Sequence, residues 1–256
     1  DVLMGNILSS HIGLRGLILS FVLLAVLGTL CNGLITAYGV QRDALVHSAL
    51  EANRAYAFKV ASSIDGFLYS VNERLKYSSQ RLGRDIANPA LLEEEALRLQ
   101  AQDSELNSVL ITDPAGKILQ AYPPGVQIGS TVASTELHAA LKQRQPLVSQ
   151  AFTAANGKLI VFVSQPIFNP AGQFLGLVGG SVYLQQRGVM HSLIGEHHLD
   201  GTFAFVADGN RRLLYHPDQQ RIGEVLGWSE TVDIALHGEN GTLETVNYRG
   251  VPMLAG

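Results

Sequence analysis

Residues 16–40 carry no charged side chain and are dominated by Leu, Val, Ile, Ala and Phe. As a helix rising about 1.5 Å per residue, the run exceeds the roughly 30 Å hydrocarbon core of a bilayer and predicts a tilted transmembrane span. A cleaved signal peptide would have an apolar region of only about 7–15 residues. Lipoprotein processing also fits poorly, because bulky Leu30 stands directly before Cys31. Beyond the span the pattern changes to a stripe. Residues 42–82 contain one glycine, Gly66, and no proline, while Ala57, Val60, Ile64, Leu68, Val71, Leu75 and Leu82 recur at steps of three, four or their sum. Such spacing gathers them on one side of a helix, with Arg54, Asn72, Glu73, Lys76 and Gln80 on the other. A stalk of about 40 residues, on the order of 60 Å long, is therefore expected to lead out of the membrane.

Gly83 and Asn88-Pro89 end the stripe. Asn88 is a good N-cap and Pro89 suits a first helical turn, so a second helix is expected over 89–101. Glu93, Glu94 and Glu95 read as solvated partners of its dipole. Consecutive carboxylates point in different directions around a helix, so they do not make a metal site.

From residue 108 the period shortens toward two. The stretch SVLITDPAGKILQAYPPGVQIG, 108–129, reads as a strand, a turn with glycine, and a second strand running into a proline loop. A degraded copy, FAFVADGNRRLLYHPDQQRIG, returns at 203–223. At an offset of about 95 positions Asp113 falls on Asp208, Lys117 on Arg212, Ile118 on Leu213 and Leu119 on Leu214. After a one-residue slip, Pro123 meets Pro217 and Ile128-Gly129 meets Ile222-Gly223. A short helix follows each copy, at 137–141 and 232–236, so one module is built twice. The first copy continues through LVSQAF, a turn at Ala155-Asn156-Gly157, KLIVFVSQPI, a turn at Asn169-Pro170-Ala171-Gly172, and a last strand over 173–184. Five mostly antiparallel strands result, with a loop and helix inserted between the second and third. A cleft beneath that insertion is the expected place for a small ligand.

At 256 residues the chain is long enough for two ordinary domains. Its net charge of -4 and 18 Lys and Arg form no basic stripe, so nucleic acid is not an expected partner. The single cysteine, Cys31, rules out an intramolecular disulfide framework and a multi-cysteine zinc site. Arg15 precedes the span and Arg42, Arg54 and Lys59 follow it, so positive charge alone does not orient it. No nucleophile elbow, P-loop, dinucleotide fingerprint or HExxH occurs, and Ser192 has His191 and Asp200 near it only in sequence. No catalytic residue is expected. His191, His197, His198 and His216 lack helical i, i+4 spacing, and the adjacent pair cannot easily face one ion, so neither a metal nor a cofactor is expected. The chain begins at Asp1 and stops at Gly256 inside an apparent strand, which reads as a piece of a longer protein.

A membrane span, a long helix, two modules of this shape and the repeated turn, Asp113 to Gly116 and then Asp208-Gly209, resemble the double Cache (dCache) sensory domains of bacterial transmembrane receptors over residues 42–256. The order of the parts carries the likeness; no single motif does. The stretch GTFAFVADGNRRLLYHPDQQRIGEV is most similar to versions that precede diguanylate cyclase (GGDEF) domains. The resemblance implies an α+β fold with tandem PAS-like modules. Residues 1–15 would be a cytoplasmic segment, 16–40 the transmembrane helix, 41–104 the long and second helices, and 105–184 the membrane-distal module. A linker helix, 185–201, and a membrane-proximal module, 202–256, lacking its last strand, would follow. It further implies a place in the bacterial inner membrane, with residues from 41 onward in the periplasm or outside the cell. A homodimer is expected because two parallel stalk helices can turn a rotation or slide into an output change. A second span and a cytoplasmic output domain would lie beyond Gly256. The distal module would hold the small-molecule ligand and the proximal one relay the change. The alternatives are the input domain of a chemoreceptor or sensor histidine kinase, or a membrane-anchored extracytoplasmic hydrolase or metal-binding protein.

Amino-acid-binding members of that family carry an aspartate near the end of the last distal strand, which holds the ligand ammonium, and an Arg-x-Trp arrangement upstream. In this chain the strand reads Gly176-Leu177-Val178-Gly179-Gly180-Ser181-Val182, with Ser181 where the carboxylate would sit. The only tryptophan, Trp228, lies in the second module. An unpaired ammonium in an apolar pocket costs several kcal/mol, so free α-amino acids are not expected to bind through that pattern. The remaining candidates are Tyr122 in the loop, Phe152, Phe162 and Ser164 on central strands, and Ser181. Alternation puts Phe162 and Ser164 on one face, opposite Val161 and Val163. Aromatic walls and hydroxyls point to a small ligand. Lys142 and Arg144 follow a surface helix and are expected to be solvated.

Overall fold

Span and stalk form one element. Helix α1 runs unbroken over Leu14–Leu82, 69 residues and roughly 100 Å at 1.5 Å per residue. The computed structural model describes residues 14–102, 106–125, 127–185, 188–194, 202–247 and 250–256. The first part of α1 presents Leu17, Ile18, Phe21, Leu24, Leu27, Leu30, Leu34 and Ile35 with no protein against them. It is long and apolar enough to cross a membrane. The second part buries Val60, Phe67, Val71, Leu75 and Leu82, with Ile64 and Leu68 packed partly beside them. Phe67, seven residues after Val60, joins the stripe because seven residues are nearly two full turns.

Helix α2, Pro89–Gln102, starts where Asn88 Oδ1 accepts from the Ala90 and Leu91 amides at 3.1 and 3.4 Å. Its Leu92, Ala96 and Leu99 are buried in the core that contains the α1 stripe. Glu93 and Glu94 are exposed, as expected, but Glu95 is fully buried. It lies three residues after Leu92 and four before Leu99, so the helical period carries it inward. There Arg81 reaches Glu95 Oε1 at 2.5 Å, and Arg98 and Ser78 donate to Oε2 at 2.8 and 2.7 Å. Arg98 also lies over the Tyr77 ring at 4.8 Å. A carboxylate read as a solvated dipole partner is thus the clasp between the two helices.

The first module is an antiparallel sheet. Its strands are β1, Ser108–Thr112; β2, Ile118–Tyr122; β3, Leu147–Val148; β4, Phe152–Thr153; β5, Leu159–Phe168; and β6, Phe174–Tyr183. The order is β2-β1-β6-β5-β3, with β4 also on β5. Six strands replace the expected five because 147–152 is interrupted. Ser149 N still donates to Phe162 O at 2.9 Å, but Phe162 N donates back to the Ser149 side-chain Oγ at 2.9 Å. Ala151 N then leaves the ladder and donates to Asp208 Oδ2 at 3.2 Å. Helix α3, Thr135–Gln143, is capped by Ser134 and ends at Arg144 in the left-handed region. Lys142 and Arg144 are exposed, and the Arg144 guanidinium lies 5.0 Å over the Phe174 ring.

The second module contains β7, Val206–Ala207; β8, Leu213–Tyr215; a 3-10 turn at Gln219–Arg221; α5, Glu230–Leu236; β9, Leu243–Val246; and β10, Pro252–Ala255. Before it, α4 covers Val189–Ile194, the described part of the expected linker helix. His197, His198, Asp200 and the turn residues Tyr248 and Arg249 lie outside the described residues. The sequence repeat recurs as hydrogen bonds. Asp113 Oδ1 accepts from the Ala115 and Lys117 amides; Asp208 Oδ1 accepts from those of Asn210 and Arg212. Gly129 N donates to Ile118 O and Gly223 N to Leu213 O, each glycine at positive φ. Lys117 bridges Thr131, and Arg212 bridges Val225. The left-handed place that Gly116 fills in the first turn is filled by Arg211, φ 64°, in the second, so Gly209 is not the equivalent glycine. Asn53 Nδ2 donates to Leu254 O at 2.7 Å, setting β10 along α1.

His216 is buried in this module and receives the Asp218 amide on Nδ1 at 3.0 Å, while Arg221 faces Nε2 at 3.2 Å. Phe203 packs edge-on against it at 5.4 Å. Burial, and then the Arg221 cation, hold its pKa below the ordinary 6.5. The unfolded chain therefore binds the proton more readily, and the stabilisation from neutral His216 is lost as pH falls below 6.5 toward the lower folded value. Protection against hydrogen exchange at Leu213–Tyr215, taken relative to the intrinsic rate at each pH, is expected to fall on going from about pH 7.5 to pH 5.5. His216→Phe should remove that dependence; an unchanged pH slope in the variant would refute the assignment.

Candidate functional site

Alternation gives the sheet two different faces. Val109, Ile111, Val161, Val163, Ile167, Val178 and Val182 point to the helices and share a core with the α1 stripe. The opposite face carries Phe152, Ile160, Phe162 and Leu177, covered by Ile118, Val132 and the α3 residues Leu137, Ala140 and Leu141. Register sets the rows on this second face. Ser108, Ser181 and Phe162 lie in one row, Leu110, Gly179 and Ser164 in the next, and Thr112, Leu177 and Pro166 in the third.

Four of the five candidates share this face. Phe162 and Ser164 follow each other on β5, Ser181 is across from Phe162, and Phe152 is across from Ile160. Tyr122 does not join them. The bulge between Ile111 and Thr112 shifts the β2 pairing so that Tyr122 stands opposite Val109, and its ring packs on the helix-side core. This corrects its expected place in the pocket.

Two residues outside the candidate set complete the polar part. The Ser108 and Ser181 hydroxyls are hydrogen-bonded to each other. Thr112 is 2% exposed, and its Oγ1 has no partner; Ser164 is fully buried, and its Oγ has none either. A buried hydroxyl without a partner costs roughly 1–3 kcal/mol, a cost that packing alone does not explain. The Phe162 ring lies above Gly179: a Cβ there would overlap Phe162 Cζ and come within 2.6 Å of Val163 O. Glycine leaves room for a ring that fills the space beside the unpartnered Ser164 hydroxyl. Ser108 and Thr112 flank Leu110 at steps of two, a signal present in the sequence but assignable to a face only once the β1–β6 register is known. Every side chain named on this face is uncharged. No group of three or more His, Cys, Asp or Glu able to hold a metal occurs among the described residues.

Residues 65–183 match the family model described as HK/GC/Chemotaxis protein-like, sensor domain. The same architecture is found in solved ligand-binding domains of chemoreceptors. The fold is Cache-like. The Campylobacter jejuni chemoreceptor domain in complex with L-norvaline is similar with a TM-score of 0.61 at 13% identity, covering 82% of this chain and 86% of that one. A Pseudomonas aeruginosa amino-acid chemoreceptor domain in complex with GABA gives 0.59 at 19% identity, covering 82% and 90%. An extracellular ligand-binding receptor from Desulfohalobium retbaense gives 0.57 at 15%, covering 76% of this chain but only 36% of that one. No curated protein matches the chain. The Cache-like sheet thus presents one face to the stalk helix and the other, with its unpartnered hydroxyls, to α3.

Proposed function

We propose that the chain is the extracytoplasmic sensor of a transmembrane receptor, and that its first module binds a small uncharged ligand bearing hydroxyl or carbonyl groups. The observation that carries this reading is the pair of buried hydroxyls, Ser164 Oγ and Thr112 Oγ1, without partners on a face lined by Phe162. A ligand that moved the Phe162 ring aside would satisfy them and bury its own apolar surface against Ile160, Leu177 and Leu141. Residues 105–184 are then the membrane-distal sensing module, 202–256 the proximal relay and 16–40 the anchor in the inner membrane, with the modules in the periplasm. The role is sensing, not catalysis. A homodimer would let two parallel stalks turn the change into an output.

For that output we infer a diguanylate cyclase carried outside residues 1–256, supported by the likeness of 201–225 to sensors of that class. The input domain of a chemoreceptor is a second reading, favoured by the chemoreceptor identity of the similar solved structures. The sequence of the gene beyond codon 256 separates them. A methyl-accepting coiled coil there would end the cyclase reading.

Several of the similar structures hold amino acids, such as L-glutamine and L-serine. Here Ser181 and Ser108 satisfy each other where an ammonium would need a carboxylate. Calorimetric titration of the full chain with the standard amino acids is expected to give no saturable heat. Tight binding of any of them would overturn the uncharged-ligand assignment. In a thermal-shift screen of small alcohols, amides and sugars, a binding compound should lose its effect in Ser164→Ala, a change expected to leave stability the same or higher because it deletes an unsatisfied group. Retention of the shift in that variant would place the ligand elsewhere.

A further inference from the structure

Strand β5 touches both the candidate ligand face and the helix that enters the membrane, through consecutive residues. Ser164 points to the ligand face, and Gln165 to the helix face. Leu159, Val161, Val163, Gln165 and Ile167 make up the helix-facing side of β5, and Gln165 is the polar one. Its side chain, 4% exposed, donates through Nε2 to Asn72 Oδ1 of α1 at 2.6 Å. Val71 and Leu75, both fully buried, flank Asn72 on the same helix. A leucine at either position would fit such surroundings without the desolvation cost of an amide. What an amide pair adds is position, because it is satisfied in one rotation and one height of the helix, whereas apolar contacts tolerate sliding.

We propose that the Gln165–Asn72 hydrogen bond is the pin that couples the ligand face of the sheet to the transmembrane helix. Resting on the reading of the Ser164 face as the ligand site, it names the residues through which occupancy reaches α1. Displacement of β5 at Ser164 moves the adjoining Gln165, and Gln165 moves Asn72. Because α1 is continuous from Leu14 to Leu82, a shift at Asn72 is carried toward the bilayer with no intervening loop to absorb it. Gln165 is a positioning residue in this scheme and touches no ligand.

The test needs no ligand, so its failure is distinct from failure of the binding screen. Ser164→Val puts added methyl groups where a ligand would press; Ser164→Thr, a smaller change, serves if the valine chain does not fold. Amide hydrogen exchange over 68–76 of α1 is followed in the full chain in lipid nanodiscs, with 89–102 of α2 as internal reference. In the parent chain Ser164→Val is expected to accelerate exchange over 68–76 about tenfold relative to the reference. In the Asn72→Leu, Gln165→Leu background, which keeps the face packed, that acceleration should disappear. Equal acceleration in both backgrounds, acceleration only without the pair, or none in either would each overturn the proposal.

Discussion

Glu95→Ala should destabilise the sensor by roughly 3–5 kcal/mol, the penalty typical of removing one partner from a buried ion pair. Glu95 is fully buried, while Arg81 and Arg98 have side chains 31% and 20% exposed. Removing the carboxylate leaves Arg98 with the Ser78 hydroxyl and Arg81 with the exposed Glu94 carboxylate, and no charge in the buried position between the two guanidinium groups. A chain of this size should lose on the order of 10 °C in Tm. Glu95→Gln is the informative companion. It keeps an oxygen for Ser78 but gives up the charge that both arginines share, so most of the loss should remain. Because the pair is shielded, added salt should reduce the effect much less than for the exposed Lys76–Glu73 pair. Chemical denaturation of the full chain measures all three. A cost below about 1 kcal/mol for Glu95→Ala would put the carboxylate in the class of surface pairs and remove the clasp as a structural element.

Phe162→Ala is expected to cost about 3–5 kcal/mol, the range for emptying an aromatic position in a packed core. Here the ring both fills the core and occupies the proposed ligand space above Gly179. Its removal should leave a cavity bordered by the Ser164 and Ser181 hydroxyls, polar enough to hold water. Gly179→Ala separates the ring from the backbone beneath it. The added Cβ meets both the Phe162 ring and Val163 O, and only the first contact disappears in Phe162→Ala. The alanine should therefore remain destabilising in the Phe162→Ala background, though less than in the parent. Full rescue would mean that the ring alone dictates glycine there; a Phe162→Ala cost under about 1 kcal/mol would mean that the face is loosely packed. Either result can be read from denaturant midpoints at unchanged slope.

Much of the architecture was legible because the periods are local properties. The charge-free run over 16–40, the heptad-like stripe from Val60 to Leu82 and the Asn88 cap depend only on neighbours within a few turns, and the helices form where those signals stand. The repeated Asp113 and Asp208 turns were legible for the same reason, since each side chain bonds amides two and four residues ahead. The errors lie where a distant residue decides. Glu95 read as a solvated dipole partner, and its burial became visible only when α1 supplied Arg81 and Ser78 from a different helix. Tyr122 changed faces through one bulge, which reverses every side chain beyond it. The strand over 147–152 is interrupted where the Ser149 side chain takes the Phe162 amide and Ala151 N turns to Asp208 of the second module.

By itself, the sequence determined the helical span and stalk, the duplicated hairpin and the alternation that keeps Phe162 and Ser164 together, since all of these follow from spacing along a single chain. Only the tertiary structure decided which face of the sheet meets α1, that Ser108 pairs with Ser181, that the Ser164 and Thr112 hydroxyls are left without partners, and that Gln165 reaches Asn72. Those facts depend on strand register and on helix rotation about its own axis, and both are set by burial summed over many distant contacts, not by any local pattern.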